Sequence, residues 1–233
     1  MNSTLTTALW PSSAQSLPAR IVLVLAGTLL MALSAKVQVP FWPVPMTMQT
    51  FVALGIGAAY GARLGGITLL TYLAQGAMGL PVFATGAGLA YLAGPTGGYL
   101  VGFFVAAVAV GYLADEGLGR THLSAFFVFL AATILIFGLG FAWLALLIGP
   151  AKAFTAGVVP FLPAEATKLL LATVFFPIAW RLVRDWIRAR GRPTGRPQLE
   201  VSNGPGTFSC RWNIASLARL PLVQFRHKKR KAV

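Results

Sequence analysis

Residues 64–114 read LGGITLLTYLAQGAMGLPVFATGAGLAYLAGPTGGYLVGFFVAAVAVGYLA, without one charged side chain. A helix crosses a bilayer core with about 20 apolar residues, so this stretch is longer than one crossing needs. Two more charge-free stretches flank it, 37–62 and 123–151. The chain is therefore read as crossing a membrane several times.

Composition agrees. Of 233 residues, 57% are hydrophobic and 10% charged, with a mean hydropathy of +0.74, against roughly 25% charged residues in an ordinary soluble domain. A cytosolic enzyme is excluded. The formal charge of +14 does not mark a nucleic-acid binder, because 13 of the 19 Lys and Arg residues lie between Arg181 and Lys231, after the last apolar span; it reads as membrane topology. A single cysteine, Cys210, without CxxC or a His/Cys cluster, gives no sign of structural zinc or a redox pair. The first apolar run ends at Lys36 without a small-residue cleavage signal and reads as a retained helix.

The pattern predicts an all-α integral membrane protein with six helices, at roughly 18–36, 47–61, 64–78, 96–114, 123–148 and 164–189. The second and third are divided at Tyr60-Gly61-Ala62-Arg63-Leu64-Gly65-Gly66, where an arginine among glycines marks a turn at a water interface; one fused helix is the alternative. Glycines four apart, Gly57, Gly61 and Gly65, then Gly98 and Gly102 with Ala106, predict close helix contact. With six spans both termini share one side. That side collects Arg20, Arg63, Arg120, Arg181, Arg184, Arg188 and Arg190, against Lys36, Lys152 and Lys168 opposite, which places both termini in the cytoplasm. Three regions follow: an N-terminal segment 1–19, a membrane domain 20–190, and a basic tail 191–233 expected to lack structure and able to touch anionic lipid.

Between the first two helices lies Val37-Gln38-Val39-Pro40-Phe41-Trp42-Pro43-Val44-Pro45-Met46-Thr47-Met48-Gln49-Thr50. Its prolines forbid a helix and favour extended backbone. Such an apolar, irregular segment is tolerated at membrane depth when it packs over protein or a cavity. A second uncharged irregular segment, 79–98, falls on the same outer face.

Motifs of phosphate loops (GxxxxGKS/T), zincins (HExxH) and serine hydrolases (GxSxG) are absent, and His122 and His227 lie in polar connections. Before Gly191 there are four acids, Asp115, Glu116, Glu165 and Asp185, of which only Glu165 is placed at the outer face. Glu165 and Lys168, three apart, share a helical face beneath the two apolar loops. A local salt bridge with a snorkelling lysine is the bland reading; costly ionisable groups at such depth favour a functional one. Lysine supplies a point charge for a carboxylate, and glutamate accepts from N–H donors. Gln49 adds both a donor and an acceptor, while Trp42, Phe83, Tyr91 and Tyr99 are pocket walls or interfacial anchors. Together these suit a small amphipathic acid.

The stretches Pro43-Val44-Pro45-Met46-Thr47-Met48-Gln49-Thr50, Gly79-Leu80-Pro81-Val82-Phe83, Gly94-Pro95-Thr96-Gly97-Gly98-Tyr99 and Pro163-Ala164-Glu165-Ala166-Thr167-Lys168 resemble the BioY family, in the right order over residues 20–190. The resemblance implies a six-helix substrate-binding (S) component of an energy-coupling factor transporter in the bacterial inner membrane. It implies biotin as cargo, no cofactor, no catalysis, and a transmembrane coupling subunit and ATPase subunits as partners. It implies an acid and a lysine in the site, which map onto Glu165, where the family usually has aspartate, and Lys168; with them the candidate site comprises Gln49, Thr47, Phe83, Thr85 and Tyr91. Thr28, Ala32 and Ala35 stand where the family docks its coupling subunit. The competing reading is a stand-alone secondary carrier, proton-coupled through Glu165 or homo-oligomeric; an intramembrane enzyme ranks last.

Overall fold

A computed structural model describes residues 16–191, 199–204 and 207–212, in two compact units that divide between Ile187 and Arg188. Five helical stretches of the first unit are long and apolar enough to cross a membrane: Leu17–Lys36, Gln49–Ala77, Gly97–Asp115, His122–Ile148 and Pro150–Asp185. The protein is a mostly helical, multi-pass membrane protein.

Helix α1, Leu17–Lys36, starts with Pro18 in its first turn, where no intrahelical N–H is lost. Ile21, Leu25, Leu29 and Leu33 face outward, while Gly27, Thr28, Met31, Ser34 and Ala35 are buried. The strands β1, Gln38–Val39, and β2, Met46–Thr47, then pair antiparallel, Gln38 opposite Thr47 and Val39 opposite Met46. The proline segment thus forms a strapped, extended loop, as its composition requires.

Helix α2, Gln49–Ala77, is interrupted at Gly61 (φ 79, ψ 176), a backbone conformation suited to glycine. The break falls inside the turn predicted from residues 60–66. On a straight helix Gly57 and Gly65 would lie about 12 Å apart, yet a Cβ on Gly65 would meet the Gly57 Cα at 3.4 Å, so the chain doubles back there. The Asp115 carboxylate accepts from Ala62 N at 3.1 Å, satisfying a free donor where the second half begins.

The short helix α3, Leu89–Ala93, leads into α4, Gly97–Asp115, the most enclosed of the spans. A Cβ on Gly57 would meet Ala107 O at 2.4 Å, and one on Gly102 would meet the Ile136 Cα at 3.0 Å, so small residues permit the backbone contacts on both sides of α4. Helix α5, His122–Ile148, opens with a Thr121/Ser124 capping box. Gly149 (φ 86) turns the chain into α6, Pro150–Gly157, followed by a 3₁₀ turn, Val159–Phe161, and α7, Leu162–Gly191. Neither α3 nor α6 was expected; both are short apolar helices whose flanking Gly and Pro read as connection.

In the second unit, β3, Leu199–Gly204, pairs antiparallel with β4, Thr207–Trp212. The tail expected to lack structure thus carries a strand pair, and apolar residues alternate with polar ones at Leu199, Val201 and Phe208, the period of a strand. Most of segment 1–19 and the polybasic stretch Arg226 to Lys231 lie outside the described residues.

Candidate functional site

Glu165 sits in the first turn of α7, where unpaired backbone N–H groups favour an acid. It is 6% exposed. Lys168, one turn on, donates to Glu165 Oε1 at 2.6 Å and to the backbone carbonyl of Thr47 at 2.5 Å. Thr50 Oγ1 donates to the same Glu165 oxygen at 3.2 Å. Start of α7, strand β2 and first turn of α2 are thereby tied together around one desolvated ion pair, an arrangement whose desolvation cost makes it weak as a stability device.

Beside this cluster lies a cavity of about 20 Å³. Val44, Pro45, Tyr99, Phe103, Phe137 and Phe161 give it apolar walls, and Thr47, Gln49, Thr50, Thr96 and Glu165 give it polar points. That volume holds about one water, whereas pockets for vitamin-sized ligands span about 300 Å³ or more. The site is closed in this conformation. A groove of about 490 Å³ between α5 and α7 shares Phe137 and Glu165 with it, but its remaining wall is almost wholly apolar, as Leu130, Ile134, Phe141 and Leu169 exemplify. Such a surface needs only lipid.

A neutral hydrogen-bond chain runs the other way from the cavity. Thr47 Oγ1 donates to Gln49 Oε1 at 3.2 Å, Gln49 Nε2 donates to Tyr72 OH at 2.7 Å, and Tyr72 OH donates to Val82 O at 3.0 Å. Beyond Tyr72, Phe83 packs edge-on to it (5.5 Å between ring centres) and stacks on Tyr91 (5.1 Å). Lys36 Nζ reaches in to donate to Phe83 O at 2.7 Å.

The structure thus brings Thr47, Gln49, Glu165 and Lys168 together and leaves Phe83, Thr85 and Tyr91 outside the cavity wall, behind Tyr72. Phe83 is fully buried; Thr85 is exposed, and its hydroxyl touches Tyr91 OH at 3.4 Å. Of the residues expected to dock a coupling subunit, Thr28 (3% exposed) and Ala35 (0%) point into the chain's own core and Ala32 is half-buried against it.

Sequence reasoning missed Thr50, Thr96, Phe103, Phe137 and Phe161, and treated Tyr99 only as a wall or anchor. Thr50 and Thr96 lie within the stretches that carry the family resemblance and were within reach. Phe161 lies in an unpredicted 3₁₀ turn and had no signal. Tyr99 does more than wall the cavity, since its hydroxyl donates to Gly157 O at 2.7 Å and holds α6 against α4.

A multi-pass helical membrane protein with an ion pair buried beside a closed, mostly apolar cavity is the class that fold and site define. The chain belongs to the BioY family, whose model matches residues 5–185; its members are transport proteins, not enzymes. Similar proteins include the "Biotin transporter BioY" of Thermotoga maritima, 37% identical over 161 residues (66% of this chain, 90% of that one). Another is the "Probable biotin transporter BioY" of Pyrococcus horikoshii, 35% identical over 146 residues (62% and 86%). Among solved structures, the S-component for biotin from an ECF-type ABC transporter matches with TM-score 0.61 at 22% identity, covering 71% of this chain and 90% of that one. The fold is shared.

Proposed function

We propose that the chain captures biotin in the cavity beneath residues 40–49, as the substrate-binding subunit of a vitamin uptake transporter. The observation that carries this reading is the half-buried Lys168, whose present partners are one carboxylate and one backbone carbonyl. A small acid with N–H groups satisfies such a site completely: its carboxylate takes the ammonium, and its N–H donors meet Glu165 and Gln49. Family membership and relatives named as biotin transporters support biotin as that acid.

The likeness in fold to an ECF-type S-component supports a division of labour. This chain selects the cargo, and a coupling subunit with ATPase subunits moves it. In this reading the two halves of α2 cross the membrane separately on either side of Gly61, giving six spans. The arginine-rich ends then face the cytoplasm across the bacterial inner membrane, and the proline loop and Phe161 withdraw to admit the ligand.

Titration calorimetry of the purified chain tests the proposal. Biotin binds without partners, and Lys168→Ala weakens biotin on the order of 100-fold while weakening biotin methyl ester less than about fivefold, as expected when a buried charge pair loses one member. Equal losses for both ligands refute the carboxylate role. Vesicles containing only this chain bind biotin but do not accumulate it; uptake driven by a pH gradient alone would instead establish a secondary carrier.

A further inference from the structure

We infer that Tyr72 is a positioning residue that fixes the Gln49 amide with its oxygen toward the cavity, so that the site selects a ligand carrying an N–H donor at that point. The inference rests on the proposed cargo site.

The two ends of a glutamine amide have the same shape, so only its partners set its orientation. Val82 O can accept and nothing else. The single hydroxyl proton of Tyr72 is therefore committed to it at 3.0 Å, and Tyr72 OH is left as an acceptor. Gln49 must meet that acceptor with Nε2, which it does at 2.7 Å. The opposite end is compatible with this orientation, since a hydroxyl can turn to donate or to accept. Gln49 N donates to Thr47 Oγ1 at 3.3 Å, which leaves the Thr47 proton for Gln49 Oε1 at 3.2 Å.

Tyr72 is fully buried and Gln49 is 3% exposed, so bulk water offers neither a substitute partner. Reversing the amide would set Oε1 against the Tyr72 hydroxyl, whose one proton is held by Val82 O. That mismatch leaves a buried polar group unpaired. Of the two lone pairs on Gln49 Oε1, Thr47 takes one, and the other remains for a ligand in the cavity that Thr47 and Gln49 both line. A backbone carbonyl outside the cavity wall thus decides, through one phenol, the polarity of a contact inside it.

Affinities of biotin and of its two cyclic carbamate analogues, each with one ureido N–H replaced by ring oxygen, provide the test. The wild-type protein binds one of the analogues at least about tenfold more weakly than biotin, because a ring oxygen facing Oε1 leaves both acceptors unpaired. In Tyr72→Phe the amide loses the partner that fixes Nε2; the Thr47 hydroxyl can turn to accept from Nε2, which is then able to meet that oxygen, and the preference shrinks to within about threefold. Gln49→Met loses the preference as well. Gln49→Glu presents an acceptor whichever way it turns, so it keeps the preference, and adding Tyr72→Phe to it changes nothing further. A general packing defect weakens all three ligands together and leaves the ratio unchanged.

A wild-type ratio surviving in Tyr72→Phe, or lost in Gln49→Glu, overturns the inference. If Tyr72→Phe does not fold, the contrast between Gln49→Met and Gln49→Glu decides it. Bound biotin with no preference at either N–H overturns this inference alone, whereas absence of biotin binding overturns the proposed cargo and this inference with it.

Discussion

Two polar clusters meet at Thr47, and they are built differently. On one side Lys168 and Glu165 form an ion pair with Thr50 as the third partner. On the other, Gln49, Tyr72 and Val82 form a neutral chain whose protons all run one way. The charged cluster costs desolvation and leaves acceptor and donor capacity that a ligand can use. The neutral one has each member fixed by the next, with one acceptor site left on Gln49 Oε1, and is rigid for that reason. Within a few ångströms of one strand, the protein separates a group that can change partners from a group that holds its shape.

Substitutions break or sharpen that contrast, and the largest effect is expected in the charged cluster. Glu165→Leu leaves a half-buried ammonium with only a carbonyl partner and costs about 2–3 kcal/mol. The double variant Glu165→Leu/Lys168→Leu recovers most of this, because no charge is left unpaired. Denaturant unfolding in detergent measures both; a double variant no better than the single one would show that the pair is chiefly structural.

The aromatic flank comes next. A Cβ at Gly76 would lie 2.0 Å from the Phe83 ring, with the Phe83–Tyr91 stack behind it, so Gly76→Ala costs about 1–3 kcal/mol by overpacking, read as a lowered Tm. Thr50→Val removes one donor to a buried carboxylate at constant shape. It costs about 1.5 kcal/mol, seen as a stability loss smaller than that of Glu165→Leu. The smallest effect belongs to Thr85→Ala: with an exposed side chain and a single 3.4 Å contact, it changes biotin affinity less than about twofold. A larger loss there would return Thr85 to the cargo site.

How much of this was legible varies with the distance over which each feature is encoded. Glu165 and Lys168 were legible because helical spacing puts them on one face and charge is scarce around them. The break at Gly61 was legible because glycine and arginine cluster there. Thr47 and Gln49 belong to one turn and could be paired by adjacency. Phe83 ends a family stretch with Thr85 and Tyr91 close behind it, but which way an aromatic faces depends on what packs opposite. Here Tyr72 intervenes and Gly76 makes room for the Phe83 ring. The same limit governed α1, where the resemblance pointed to Thr28, Ala32 and Ala35 as an outward docking face, while Thr28 and Ala35 face the chain's own core.

By itself, then, the amino-acid sequence determined the membrane location, the positions of the long helices, the irregular proline loop and the pairing of Glu165 with Lys168. These rest on hydropathy, backbone sterics and helical periodicity, all of which act over a few neighbouring residues. Only the tertiary structure decided that Lys168 is held by the Thr47 carbonyl, that Phe137 and Phe161 close the cavity, and that a carbonyl at Val82 orients the amide of Gln49. Each of those joins residues from different helices, and their meeting depends on how the whole bundle packs.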